Sequence, residues 1–429
     1  MYRQKRIITV ALALAIFCLT SITLRSQTRI SSPYSRYGIG TLNQTTNART
    51  LGMGGVNQAM ASRLYINYDN PATYSRFMQQ SFVFNGGLRS QQTELSTNNQ
   101  TEQSNYTSLG YLQFGTPVTK WLGVSFGLIP FSNVGYNIND DYVLDDIGHV
   151  VYQYEGTGGI NQFYLGTGVS ITDELSIGIN ATYYFGRMDF TRSSLFPDSI
   201  NYLDTRITET QSPGDLALSY GIHYEREVKE DHKLSLGATF SNKSSIRTNR
   251  DYLVESMKVT SNDISAVFDT IVQNQGEKGS IVLPNRFGAG FVYSKTNSWQ
   301  LAGDFTYENW ESYESFGLQD SLKNSFTAAL GYEVSPQSTS ISPYWKKVNY
   351  RLGAKYHKSY LQLRGTQLNQ FGISFGFGFP VPGSASTIDL GVELGQLGTT
   401  DNNLIKEKYV KFSLGLSIFE RWFIQRKYD

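Results

Sequence analysis

Two stretches of this chain carry the spacing of a nucleophilic serine: Gly123–Val124–Ser125–Phe126–Gly127 and Gly372–Ile373–Ser374–Phe375–Gly376. A hydrolase needs such a serine on a sharp strand-to-helix turn, where a base can reach its hydroxyl. Both matches instead lie within runs that alternate apolar and small residues. Strand periodicity alone generates them, and they predict inward-facing Gly and Ser rather than a nucleophile. The four histidines, at 149, 223, 232 and 357, have no metal-ligand spacing. His223 is expected to face inward and the other three to fall at turns or loops. Asp140, Asp141, Asp145 and Asp146 gather carboxylates of the kind calcium takes, but no glycine-kinked calcium loop accompanies them, so a solvated loop is expected. Gly52–Met53–Gly54–Gly55 lacks the lysine and the spacing of a phosphate cradle. Its glycines suit a tight chain reversal. No catalytic residue, metal or cofactor is expected, and the chain does not read as an enzyme.

The elements carrying these residues are strands. In Leu175–Gly186 the odd positions are Leu175, Ile177, Ile179, Ala181, Tyr183 and Phe185, while the even ones are small or polar. Residues two apart share a strand face, so one face is apolar and the other is not. Phe371–Phe379 repeats the split with phenylalanines at 371, 375, 377 and 379 and Ile373 against Gly372, Ser374, Gly376 and Gly378. The last strand repeats it with Val410, Phe412, Leu414, Leu416 and Ile418 against Lys411, Ser413, Gly415 and Ser417.

A soluble sandwich alternates in the same way, so the connections decide. Strands fall near 81–90, 106–116, 121–131, 160–170, 175–186, 215–226 and 232–242, then 284–294, 299–309, 324–334, 348–358, 369–379, 386–396 and 407–419. About 14 strands is an even number, as bacterial single-chain barrels have. Short connections (Pro117–Lys120, Ile171–Glu174, Val228–Asp231, Lys295–Ser298) alternate with long ones (Ser132–Gly159, Arg187–Gly214, Lys243–Leu283). Short periplasmic turns and long outer loops are the barrel asymmetry. One connection, Ser335–Lys347, is long where a short turn is expected, which leaves the count open by a hairpin.

The charges agree with this reading. Asp304, Glu308, Glu333, Arg351, Lys355, Asp389, Glu393 and Lys411 all fall on the faces away from lipid. On the lipid face each would cost about 2–4 kcal/mol near the midplane. In a lumen they brace the interior or meet water. Residues 27–80, ahead of the first strand, have another texture, with Gly38, Gly40, Gly52, Gly54 and Gly55 among polar residues. A segment of that length is expected to plug the space that a barrel of this size encloses.

Composition is consistent with an exported barrel. Charged residues are 17% and aromatics 14%, with 29 Tyr and 25 Phe. Mean hydropathy is only −0.32 because alternate residues face a polar lumen. Net charge is +1, and no basic stripe points to nucleic acid. Arg3, Lys5 and Arg6 precede an uncharged run from Ile7 to Leu24. That run is of borderline length for a spanning helix, and the basic start reads as a signal peptide over residues 1–26, cleaved near Ser26–Gln27. The one cysteine, Cys18, lies within it, so the mature chain would hold no disulfide.

Two places resemble the long-chain fatty-acid transporter (FadL/TodX-type) family of outer-membrane proteins. Leu51–Gly52–Met53–Gly54–Gly55 followed by Asn70–Pro71–Ala72 is similar to that family's N-terminal hatch. Leu283–Pro284–Asn285–Arg286–Phe287, then Gly290, Tyr293, Trp299, Asp304 and Trp310, is similar to its strand pattern. Gly391–Val392–Glu393–Leu394–Gly395 through Arg421–Trp422–Phe423 resembles the ending of such proteins from Bacteroidetes-type bacteria. The family commonly ends on an aromatic at its last strand, whereas Glu420–Asp429 continues here beyond Phe419.

The expectation is therefore all-β: a transmembrane antiparallel barrel over 81–419 with a hatch over 27–80, a periplasmic tail over 420–429, and a place in the Gram-negative outer membrane. The resemblance implies passive uptake of hydrophobic or amphipathic, fatty-acid-like molecules. The hatch residues Gly52, Gly54, Gly55, Asn70, Pro71 and Ala72 would gate it, with Asp304, Glu308, Arg351, Lys355, Asp389 and Glu393 as lumen charges. Its partners would be outer-membrane lipid and a hydrophobic ligand. The alternative is a non-transporting scaffold subunit of an outer-membrane secretion or protein-assembly complex, docked through Lys243–Leu283 and the charged tail Arg421–Tyr428.

Overall fold

The computed structural model describes residues 32–145, 147–199, 201–259, 265–336 and 342–421. The expected leader with Cys18, Asp146, and the tail beyond Arg421 lie outside the described residues.

Sixteen long strands run in chain order. They are β1 (Ser81–Ser96), β2 (Thr101–Pro117), β3 (Leu122–Leu144), β4 (Gly148–Ser170), β5 (Leu175–Leu195), β6 (Asp204–Lys229), β7 (His232–Ser241) and β8 (Ser244–Val259). After them come β9 (Ser265–Leu283), β10 (Arg286–Lys295), β11 (Trp299–Glu308), β12 (Ser325–Val334), β13 (Asn349–Leu363), β14 (Thr366–Pro380), β15 (Thr387–Leu397) and β16 (Lys406–Arg421). All pairings are antiparallel. Fourteen strands, β1–β7 and β10–β16, form the ring: β7 pairs directly with β10 from Lys295↔His232 to Arg286↔Ser241, and β16 closes on β1 from Lys406↔Ser96 to Arg421↔Ser81. Closure leaves the ring without a free first or last strand, as lipid requires because it offers backbone groups no hydrogen bonds. The hairpin expected to be uncertain at Ser335–Lys347 leaves the count unchanged, since β12 and β13 pair directly across it.

Alternation sets which side meets lipid. On β6, Leu216, Leu218, Tyr220 and Ile222 point outward and are exposed, while Ser219 and His223 between them face the lumen. Farther out on the same face the residues become Ser212, Thr210, Thr208 and Arg206, so the apolar band ends at Leu216.

Two expectations are corrected. Ser132–Gly159 and Arg187–Gly214 are not loops: they are outward continuations of β3 and β4 and of β5 and β6, paired to Leu144↔Gly148 and Ser194↔Thr205. Their polar residues misread as loop because strand that rises above lipid has no apolar outer face. Lys243–Leu283 is likewise the hairpin β8–β9, which pairs with the outer part of β6 from Asp204↔Met257 to Pro213↔Thr248. The histidines need correction too. His357 lies inside β13 opposite Thr327, to whose hydroxyl its Nδ1 is hydrogen-bonded at 2.8 Å. His149 and His232 open β4 and β7 beside their turns, and His223 is buried on the lumen side as expected.

Residues 32–80 thread the ring. They start at the outer end, where the Ser32 N–H donates to the Gly135 carbonyl and the Tyr34 hydroxyl donates to the Ile405 carbonyl. Thr41–Leu42 adds a short strand to β3 at Ser132–Asn133. They leave at the periplasmic end, where Arg76 donates to the carbonyls of Asp173 and Glu174 in a short turn. Three apolar layers mark this path: Tyr34, Ile39, Trp310 and Tyr360 outside, Met53, Val56 and Ala59 in the middle, and Ile66, Tyr74, Phe77 and Tyr164 at the periplasmic end.

Candidate functional site

The hatch is shaped by short local signals. Asn47 caps a single helical turn, Ala48–Leu51, accepting from the Thr50 N–H in a reciprocal capping box. Gly54 and Gly55 then take φ of +74° and +89°, the left-handed region that lets the chain reverse. Asn70 starts a second short turn, Pro71–Arg76, accepting from the Ala72 N–H, while its own amide donates to the carbonyls of Gln58 (2.7 Å) and Ile222 (3.0 Å). One fully buried side chain thus ties two parts of the hatch to β6.

The wall is cut to receive both turns. Any side chain at Gly353 would strike the Gly54 amide, and at Gly331 the Met53 carbonyl. Gly52 meets Gly376 backbone to backbone. Gly178 on β5 and Gly221 on β6 make the same room for Pro71 and Asn70. Glycine within a strand marks such close approach. Both serine motifs belong to this seam rather than to a catalytic centre: Ser374 accepts from the Gly54 N–H at 2.8 Å, and Ser125 is bonded to the Tyr164 hydroxyl at 2.9 Å.

Charge fastens the hatch. Arg49 pairs with Glu333 at 3.0 Å, Glu333 with Arg351 at 2.5 Å, and Arg351 with Asp389 at 2.6 Å. Tyr65 covers this chain, its ring under the Arg49 guanidinium and its hydroxyl bonded to Thr387 at 2.7 Å. Lys355 pairs with Glu393 at 2.8 Å and donates to hatch Gln44 at 3.0 Å. On the opposite wall Arg286 bridges hatch Asp69 (3.1 Å) and Glu308 (3.4 Å). Asp304 accepts from the backbone N–H groups of Asn57 and Gln58. Asp304, Glu308, Arg351, Lys355, Asp389 and Glu393 all take part in these contacts. Asp304, Lys355 and Asp389 contact hatch residues directly, and Arg351, Glu308 and Glu393 reach the hatch through one neighbour. The partners Arg49, Asp69, Tyr65, Gln44 and Arg286 were not singled out as site residues. The available signal was charge within a glycine-rich plug, together with Arg286 in the quoted Leu-Pro-Asn-Arg run.

Above this floor is a cavity of about 340 Å³. Leu42, Phe131, Tyr184, Leu283, Trp310 and Tyr360 give it an apolar side, and Asp69, Arg89, Arg286, Glu308, Glu407 and Lys411 a charged one. Beside it the wall is discontinuous. β2 and β3 pair only from Leu112↔Leu128 to Pro117↔Gly123, and β3 bends at a bulge between Pro130 and Ser132. Farther out, the two strands are joined through side chains, with the Tyr106 hydroxyl donating to Asn133 at 3.0 Å. Among the described residues no cluster of His, Cys, Asp and Glu has the arrangement of a metal site.

Comparison with known proteins follows this geometry. A family model described as BamG matches residues 5–429. No curated protein sequence matches. Among solved structures, the Pseudomonas putida toluene transporter TodX aligns with 14% identity, covering 90% of this chain and 100% of that one, at a TM-score of 0.59. The Ralstonia pickettii toluene transporter TbuX aligns with 12% identity over 93% and 100%, at 0.55. A Pseudomonas aeruginosa FadL homologue aligns with 10% identity over 89% and 100%, also at 0.55. These likenesses establish a shared barrel fold, that of outer-membrane channels.

Proposed function

This chain belongs to the BamG family, and we propose that it works as a sealed barrel subunit of an outer-membrane protein-assembly complex. The observation that carries the reading is the buried ion-pair chain Arg49–Glu333–Arg351–Asp389, whose Arg351 and Asp389 side chains are 0% and 2% exposed. Separating one member from such a chain leaves a charge uncompensated in a dry interior, which costs about 3–5 kcal/mol. A hatch held by this chain, by Arg286–Asp69 and by Lys355–Gln44 resists the displacement that gating through Gly52, Gly54, Gly55, Asn70, Pro71 and Ala72 would need. The family's name points in the same direction.

A second reading has its own observation. Where β2 and β3 part beside the cavity, β3 is paired on that side only with the short hatch strand Thr41–Leu42, so an amphipathic molecule could leave sideways into lipid once that strand shifts, without axial opening of the rest of the hatch. That would make the protein a channel, like those its fold resembles.

Native mass spectrometry on the gently extracted full chain separates the two. Stoichiometric outer-membrane protein partners on a barrel with no bound small molecule are expected. A lone barrel carrying a fatty acid or hydrocarbon would overturn the subunit reading and establish the channel.

A further inference from the structure

The hairpin β8–β9 extends the outer sheet and leaves one long edge open. β9 pairs with β8 along its length, but on its other side, among the described residues, partners are found only near its end, where Ile281 and Val282 face Ser315 and Glu314 and the Ser280 carbonyl accepts from the Phe316 N–H. Three bulges deform the open strand, one between Asn274 and Glu277 and two nearer its start. Val267 faces Met257 and Asp269 faces Ser256, so Phe268 is an extra residue; Thr270 faces Glu255 and Val272 faces Val254, so Ile271 is another. Bulges re-aim side chains, and they also blunt an edge against simple strand addition. Here they present Phe268 and Ile271 to solvent, 63% and 58% exposed, flanked by exposed Val267 and Val272. Two of the hairpin's charged residues are held within it, Glu277 by Arg250 at 2.8 Å and Asp251, which accepts from the Gly276 N–H at 2.7 Å, while Asp269 stays exposed beside the patch.

Lipid does not cover this patch. Met257, the partner of Val267, pairs with Asp204, twelve residues farther along β6 than Leu216, the last lipid-facing residue of that strand. At roughly 3.3 Å per residue the patch, which ends at Val272 opposite Val254 and Ile207, stands about 30–40 Å along the sheet beyond the apolar band. A second copy suits it poorly. Two barrels in one membrane share the same upright sense, so their β9 edges meet only in parallel, with Asp269 against Asp269 and Glu277 against Glu277. Like charges placed opposite each other are destabilising.

We propose that β9 is the docking element for a different protein outside the membrane, which receives Phe268 and Ile271 in an apolar cleft with a neutral or basic rim facing Asp269. This rests on the subunit reading above and names the surface that would carry it. Large apolar side chains seated in desolvated clefts are the usual anchors of interfaces. Bulging, rather than a straight edge, is what distinguishes such a surface from an unprotected strand.

The test places a photo-reactive benzophenone amino acid at 268, at 271, and at the exposed control position 143 on the β3–β4 hairpin, in the full chain in its native membrane. Positions 268 and 271 are expected to cross-link to one common protein other than this chain, and position 143 is not. Phe268→Asp with Ile271→Asp should cut recovery of the intact complex about tenfold or more, with heat-modifiability of the barrel unchanged. Cross-links to a second copy, to lipid, or to nothing would overturn the inference. So would an intact complex in the double variant, although the subunit reading would then survive. If wild-type protein is extracted alone, the subunit reading itself falls.

Discussion

Replacing Arg351 by methionine should loosen the hatch while sparing the barrel. Arg351 stands between Glu333 and Asp389, with its own side chain 0% exposed. In the variant Glu333 keeps Arg49 at 3.0 Å and the Gln300 amide at 2.9 Å. Asp389 keeps only uncharged partners, the Thr387 hydroxyl at 3.0 Å and the Tyr65 hydroxyl at 3.5 Å. A buried carboxylate stripped of its cation costs about 3–5 kcal/mol. The ring, held by fourteen strand pairings, does not need that contact. The hatch does, because Arg49 and Tyr65 bear on the same network. The cost should therefore appear as easier hatch release. A cysteine placed at Met53, which is fully buried, reports this through maleimide labelling of detergent-solubilised protein. At tenfold per 1.4 kcal/mol, labelling should quicken by roughly 10²-fold to a few thousandfold. Adding Asp389→Leu should recover much of the loss, since removing both partners leaves no orphaned charge. Labelling within about threefold of the parent would refute the idea that this ion-pair chain fastens the hatch.

Two further outcomes are expected. Asn70→Ala removes a helical cap and leaves the Gln58 and Ile222 carbonyls unpaired. It should cost about 1–3 kcal/mol, read as faster proteolysis of the hatch in an otherwise heat-modifiable barrel. Leu414→Arg, at a lipid-exposed position of β16, should lower unfolding stability in lipid by about 2–4 kcal/mol. Measured by guanidinium titration, no change would place that face away from lipid.

Much of the architecture was legible from residue order. A face that meets lipid must be apolar at every second residue, so Ile177–Phe185 and Phe371–Phe379 declare both their strand state and their orientation. The same rule places Asp304, Glu333, Arg351, Lys355, Asp389 and Glu393 on the faces away from lipid. The even count of strands followed from closure. Local order did not determine where strands end above the membrane. Once both faces are polar, the period-two contrast disappears, and the outer parts of β3–β6 and the hairpin β8–β9 looked like loops.

What only the tertiary structure decided is pairing. Arg49 and Glu333 are 284 positions apart, and Ser32 and Glu407 are 375 apart. No spacing rule links them. They meet because the hatch is folded back into a ring whose first and last strands close on each other, and burial there leaves each charge dependent on the few partners within reach. The glycines at 331, 353 and 376 make the same point. In the sequence they are small residues on alternate positions, and only the plug pressed against them shows why a side chain would not fit.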